Sequence, residues 1–224
     1  MTRLGVLAAW IQRRLGPEEV PVLYRTGREQ IATLGLALEA ADVPSGCGVD
    51  ALFLHRPFDV GSLCEGAGVL ASHAGFDRYL TTGENWSLAS HLGWTDVQPF
   101  VVGGRILGLR AAAPSEGWDG LLASALESFG GWDEALPPTS VLHERAGSVA
   151  LVNAMRPALL SAAHDRGVRV YVTGQFRGGA RQRAEALGMG ILALGHKRSE
   201  RWGLQQLARE LSAEFPDVHI RVFA

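Results

Sequence analysis

An α/β fold with largely parallel strands flanked by helices is what this sequence predicts, and three observations carry that prediction. Short apolar runs alternate with amphipathic segments of helical period through the last third of the chain, the pattern of strands joined by crossover helices. The composition, 47% hydrophobic and 20% charged over 224 residues, is that of a globular chain able to bury a substantial core as one large domain or two intimate lobes. Breaker residues cluster between the runs, as at 44–48 and 130–138, which marks loops.

Leu4, Leu7 and Ile11 recur at helical spacing, and Gly16-Pro17 ends that first helix. Residues 30–36 read as a strand and 37–41 as a short helix or turn. A buried strand over 49–54 ends at His55-Arg56-Pro57, a short helical piece covers 61–65, and a strand over 68–72 stops at His73. Residues 86–93 form a helix closed by Gly93. Gly103-Gly104 is a two-residue hairpin turn between strands at 97–102 and 105–109. A helix over 121–129 precedes the loop 130–138, where composition shifts. Strands at 149–152, 168–172, 191–194 and 218–222 then alternate with helices at 158–165, 180–187 and 201–211. Connections of that size imply parallel pairing.

Composition limits the function classes. Twenty-one basic against 23 acidic residues leave a net charge of −2, so no electrostatic footprint for nucleic acid stands out. No apolar run is long enough for a membrane span, and Gln12-Arg13-Arg14 interrupts the N-terminal segment, so an amphipathic helix is expected there rather than a signal peptide. Cys47 and Cys64 cannot form a CxxC-type zinc site and do not read as a secreted framework. Cys64 reads as an inert thiol, and an unprocessed, soluble, cytoplasmic protein is expected.

The chemistry concentrates at strand ends. Gly195-His196-Lys197-Arg198-Ser199-Glu200 follows an apolar run and opens a helix, so His196 and Glu200 flank one helix entrance at a strand's carboxyl end, where α/β sheets bind ligands. An imidazole beside a carboxylate suits a divalent cation; an ordinary His–Glu pair is the plainer alternative. His55 and Asp77 also follow apolar strands. Two imidazoles and two carboxylates suit zinc, manganese or iron better than calcium. His73, four residues before Asp77, is expected to orient that carboxylate, carry a proton or fill a polar pocket. The Gly-rich stretch 173–179 could cradle a phosphate with Arg177 and Arg181, a tight turn being the alternative. Trp202 is expected to border a cleft, and His91, His143, His164 and His219 to be structural or exposed.

Several blocks resemble the Nif-three-like dinuclear-metal-centre family, also called GTP cyclohydrolase 1 type 2 homologues. Gly195-His196 to Glu200 matches its Gly-His-x-x-x-Glu, and Thr173-Gly174-Gln175 its Thr-Gly-Glu turn. His73, Asp77, Gly83, Asn85, Leu92 and Gly93 match its central block, and the strand ending at His55-Arg56-Pro57 resembles one that ends in His-His-Pro. The resemblance implies two interlinked α/β lobes with mixed, largely parallel sheets, 1–102 and 103–224, which together form one metal site. It implies His55, Asp77, His196 and Glu200 as ligands, with Arg56, His73 and Arg177 around them or on the substrate. It also implies a homohexamer. The leading functional expectation is a metal-dependent hydrolase that turns a metal-activated water on a phosphorylated or nucleotide-like small molecule. No guanine-reading motif is visible. The start of the chain lacks the family's Trp-Asp-Asn-x-Gly-Leu signature.

Arg56 stands where the family has a second histidine. A guanidinium cannot act as an ordinary ligand, and it repels a cation 4 Å away by about 4 kcal/mol per unit of metal charge at an effective dielectric near 20. One metal per chain is therefore expected rather than two, with Arg56 neutralising substrate charge. The other expectations are two metals with water in place of the lost imidazole, a metal-free site with Arg56 paired to Asp77 or Glu200, and a non-catalytic assembly or regulatory module with a degenerate site.

Overall fold

The computed structural model describes residues 1–16, 22–112, 114–139 and 148–223. His143 lies outside the described residues. The chain forms two compact units, Met1–Phe76 with Gly203–Ala224 and Asp77–Trp202.

The first unit opens with β1 (Thr2–Arg3) and α1 (Leu4–Leu15). Leu4, Leu7, Ile11 and Leu15 are the buried residues of α1, one apolar stripe at steps of three and four. Then come β2 (Leu23–Arg25), β3 (Gln30–Ile31), β4 (Thr33–Glu39), β5 (Ala51–Arg56) and β6 (Gly68–Ala71). The strand His219–Phe223, β4, β5 and β6 pair in parallel, and β2 closes the edge antiparallel. Ala51–Leu54 and Val69–Leu70 are fully buried without alternation, as expected where both faces of a parallel sheet are covered.

Asp50 fastens the amino ends of these strands. Its Oδ2 accepts the amide hydrogens of Ala32 and Thr33, both at 3.0 Å, and Oδ1 pairs with Arg28 at 2.9 Å. Its own N–H donates to Thr33 and its carbonyl accepts from Gly68. Burial raises the Asp50 carboxyl, but the two amides and the Arg28 guanidinium outweigh it and hold it below its ordinary value.

The loop between β5 and β6 is also tied down. Arg25 donates to the carbonyls of Gly61 at 2.9 Å and Leu63 at 2.8 Å. Cys47 and Cys64 are joined as a disulfide, their Cα atoms 6.4 Å apart. The inert thiol expected at position 64 is therefore corrected: folding brings two cysteines 17 residues apart into one apolar cluster with Leu52, Leu54 and Val60. The expected helical piece at 61–65 is a run of turns.

The second unit continues with α2 (Ala74–Leu80), α3 (Trp86–His91), β7 (Gln98–Val102), β8 (Arg105–Ala112) and α4 (Gly117–Phe129). It then runs through β9 (Glu134–Leu136), β10 (Ser148–Val152), α5 (Pro157–His164), β11 (Val168–Thr173), α6 (Gly178–Ala186), β12 (Gly190–Ala193) and α7 (His196–Glu214). The division between units falls within α2 and within α7, and β13 (His219–Phe223) belongs to the first unit. The sheet order is β7-β8-β10-β11-β12-β9. β10, β11 and β12 pair in parallel, as the crossovers α5 and α6 require. Gly103-Gly104 turns between β7 and β8 of this one sheet, and the sequence-expected boundary at 102/103 falls in that turn. Val149, Leu151, Val170 and Val172 face one buried cluster with α3 and α4; Ala150, Val152 and Tyr171 face the other with α5 and α6.

Because the Asp50 carboxyl is depressed in the folded state, its stabilisation is complete above the unfolded value of about 3.9 and is lost as pH falls through the lower folded one. Asp50→Asn should lower the unfolding free energy by about 1–3 kcal/mol at pH 7. In urea titrations the gap to the parent should begin to narrow below about pH 4 and close as pH falls through the lower folded value.

Candidate metal centre

Parallel register sets the first half of the site. Leu54 of β5 pairs with Ala71, the last residue of β6, so the next residues, His55 and Ser72, are level, and His73 follows at once. His55 is fully buried, its ring stacked on Phe76 at 4.5 Å and 4.9 Å from the ring of His73. His73 immediately precedes α2, and Asp77 lies in that helix's first turn. Positions four apart there lie one turn from each other.

One ligand atom each from His55, His73 and Asp77 lies within 4.8 Å of the others. Bound to one small cation at about 2.0–2.2 Å, such atoms would sit roughly 3–3.5 Å apart, so the group needs to close by about an ångström. Two imidazoles and a carboxylate are a donor set for zinc, iron or manganese. The structure thus brings His73, expected beside the ligands, into the ligand-bearing group itself. The signal was the His-x-x-x-Asp spacing, which places both side chains on one side of a helix start.

The approach of α2 depends on Gly75. A Cβ there would lie 2.3 Å from the Leu15 carbonyl oxygen and 2.8 Å from Ser72 Oγ, so only a residue without one lets α2 settle against the end of α1.

Arg56 is the last residue of β5 and is paired in register with Glu39 of β4. Its Nη1 donates to Glu39 Oε1 at 3.0 Å, with 19% of the Arg56 side chain exposed. Glu39 was not singled out as its acceptor, since strand register alone brings together residues 17 apart.

The expected His–Glu pair forms at the start of α7. His196 Nε2 lies 3.1 Å from Glu200 Oε1; the carboxylate is buried, and about half of the imidazole is exposed. α7 begins at His196 rather than at 201, so the two residues share a helix face one turn apart. Gly174, just past β11, fits against this turn: a Cβ would meet Ser199 Oγ at 3.0 Å and Thr82 Oγ1 at 3.3 Å. Ser199 Oγ in turn donates to the His196 carbonyl at 2.8 Å.

Around this helix entrance other expectations resolve as well. Arg177 is the exposed N-cap of α6, its N–H directed at Met155 Sδ. Arg181 stacks over Phe176 and pairs with Glu134, which engages the guanidinium assigned to phosphate. Trp202 packs beside His91 and Phe129 on the edge of an apolar cluster.

The sequence profile of the family described as Duf34/NIF3 (NGG1p interacting factor 3) matches residues 62–224, nearly three quarters of the chain. The chain belongs to the Duf34/NIF3 family. The family match takes in His73, Asp77, His196 and Glu200 and begins after His55 and Arg56. A GTP cyclohydrolase 1 type 2 homolog of Chlamydia pneumoniae is 30% identical over 151 residues, 66% of this chain and 58% of that protein. The chain thus matches a little over half the length of that curated relative. Reduced HcgD from Methanocaldococcus jannaschii superposes with a TM-score of 0.78 at 17% identity, covering 99% of this chain and 98% of that one. TTHA1606 from Thermus thermophilus gives 0.73 at 19% identity, covering 100% and 98%. At those identities the likeness shows a shared fold.

Gly174→Ala should lower the melting temperature, because the new methyl group must displace Ser199 or Thr82 at a cost of about 1–3 kcal/mol. Gly178→Ala, with nothing within 4 Å of the added Cβ, should leave it unchanged or raise it. Paired thermal melts check both.

Proposed function

We propose that the protein holds one divalent transition-metal ion, zinc, manganese or iron, on His55, His73 and Asp77, and hydrolyses a phosphorylated or nucleotide-like small molecule there. The convergence of three ligand atoms from a strand end and a helix start is the observation that carries this reading. Three protein ligands leave coordination positions open, as catalytic sites do and structural zinc sites do not. A bound cation of this kind supplies Lewis acidity and lowers the pKa of a coordinated water towards about 7.

The chain's own groups set the rest. Phe76 holds the His55 ring by stacking, and burial excludes bulk water from its side of the group. Arg56, next to His55 and steadied by Glu39, supplies a fixed positive charge for an anionic substrate without a second ion. The family resemblance assigns His196 and Glu200 to the same cation. A hexameric assembly and a cytoplasmic setting belong to this reading too; there the Cys47–Cys64 disulfide would meet thiol reductants.

The Arg56–Glu39 pair also favours a second reading, a non-catalytic module in which a fixed ion pair has replaced metal chemistry. Elemental analysis after chelator-free purification separates the two. The metal reading expects about one transition-metal ion per chain, lost in His73→Ala while circular dichroism stays that of the parent. Metal content unchanged in His73→Ala, or no metal after reconstitution of the parent, would falsify it. His196→Ala, assayed alongside, tests the assignment drawn from the resemblance: retained metal removes His196 from the ligand set.

A further inference from the structure

The second unit carries a polar cleft at the amino end of β10. Open to solvent on one side, it offers about 160 Å³ and is lined by Asp96, Gln98, Arg110, Ala111, Ala112 and Ser148. Gln98 pairs with Arg110 across β7 and β8, and Ala112 pairs with Ser148 across β8 and β10. Arg110 and Ala112 are two apart on β8, so the four side chains share one face of the sheet. The small side chain of Ala112 leaves the space between the longer ones. The Ala112 N–H donates to the Thr95 carbonyl at 3.1 Å, which pins the turn carrying Asp96 to the same edge. Asp96 itself has a φ of 52°, a left-handed conformation that aspartate tolerates better than most residues.

The polar groups are sorted by charge. Arg110 Nη2 donates to Gln98 Oε1 at 2.8 Å, which leaves the other N–H groups of its fork and the Gln98 amide nitrogen as donors. Ser148 Oγ is buried and has no hydrogen-bond partner among the described residues, an arrangement that a ligand's acceptor would relieve. These donors suit a carboxylate, and Asp96 at the rim suits a cation. A cleft of about 160 Å³ suits a ligand of only a few heavy atoms. It is well below the ~300 Å³ at which clefts begin to take drug-sized ligands.

We propose that this cleft binds a small free α-amino acid, its carboxylate on Arg110 and Ser148 and its ammonium group on Asp96. The site is separate from the metal centre and does not depend on that reading.

Titration of the full chain with alanine, followed by amide chemical shifts, tests it, with acetate and methylammonium as probes of each half. Alanine should saturate, and each half-probe should bind about tenfold or more weakly. Ser148→Ala should weaken alanine binding about tenfold while leaving the melting temperature unchanged or raised, since it deletes a buried hydroxyl that lacks a partner. Asp96→Asn should weaken alanine without affecting acetate. Absence of saturable alanine binding, acetate binding as well as alanine, or unchanged affinity in Ser148→Ala would each overturn the proposal.

Discussion

Parallel strand register is the constraint on which the candidate metal centre rests. Because Leu54 is level with Ala71, the last residues of β5 lie beside the chain that leaves β6, and both are delivered to one edge. His55 then meets His73 whatever their separation in sequence. The same rule acts in the second sheet, where the parallel set β10, β11 and β12 brings the Gly174 turn against Ser199 at the entrance of α7. Ligands collect beyond the carboxyl ends of such strands because helix starts and loop amides converge there.

Two close approaches make that geometry specific. Gly75 admits the Leu15 carbonyl, which sets α2 and with it Asp77; Gly174 admits Ser199 and Thr82, which sets the first turn of α7. In each case a helix that carries candidate ligands is placed by a close contact that a Cβ would obstruct. Arg56 departs from the family pattern, and its guanidinium is occupied by Glu39 in the adjacent strand. A salt bridge this exposed adds little stability, but it fixes where the charge stands beside His55.

Much of this was legible in the residues. The stripe of Leu4, Leu7 and Ile11, the Gly103-Gly104 hairpin and the alternation after residue 148 all correspond to elements of the structure, because each is carried by local periodicity or turn chemistry. What escaped is long-range or locally contradictory. α2 (Ala74–Leu80) has no helix signature in the sequence, because Gly75 near its start looks like a breaker, although it is there for its contact with Leu15. β9 is three residues long inside a Gly- and Pro-rich stretch and exists by pairing with β12. The apolar period of α7 shows only from 201, and its true start at His196 is masked because His196-Lys197-Arg198 puts basic residues at a helix N-terminus, against the dipole. The Cys47–Cys64 link and the Arg56–Glu39 pair are set by tertiary approach and strand register, which no local window reports. His73 was legible as a neighbour of Asp77; its place beside His55 required the register of two strands.

Anomalous X-ray scattering, measured on both sides of the absorption edge of a metal soaked into crystals of the full chain, locates any ion that the His55–His73–Asp77 group holds. One peak per chain is expected, about 2.0–2.2 Å from an imidazole nitrogen of His55, an imidazole nitrogen of His73 and a carboxylate oxygen of Asp77. A peak away from these three residues, or a second metal seated against Arg56, would contradict it.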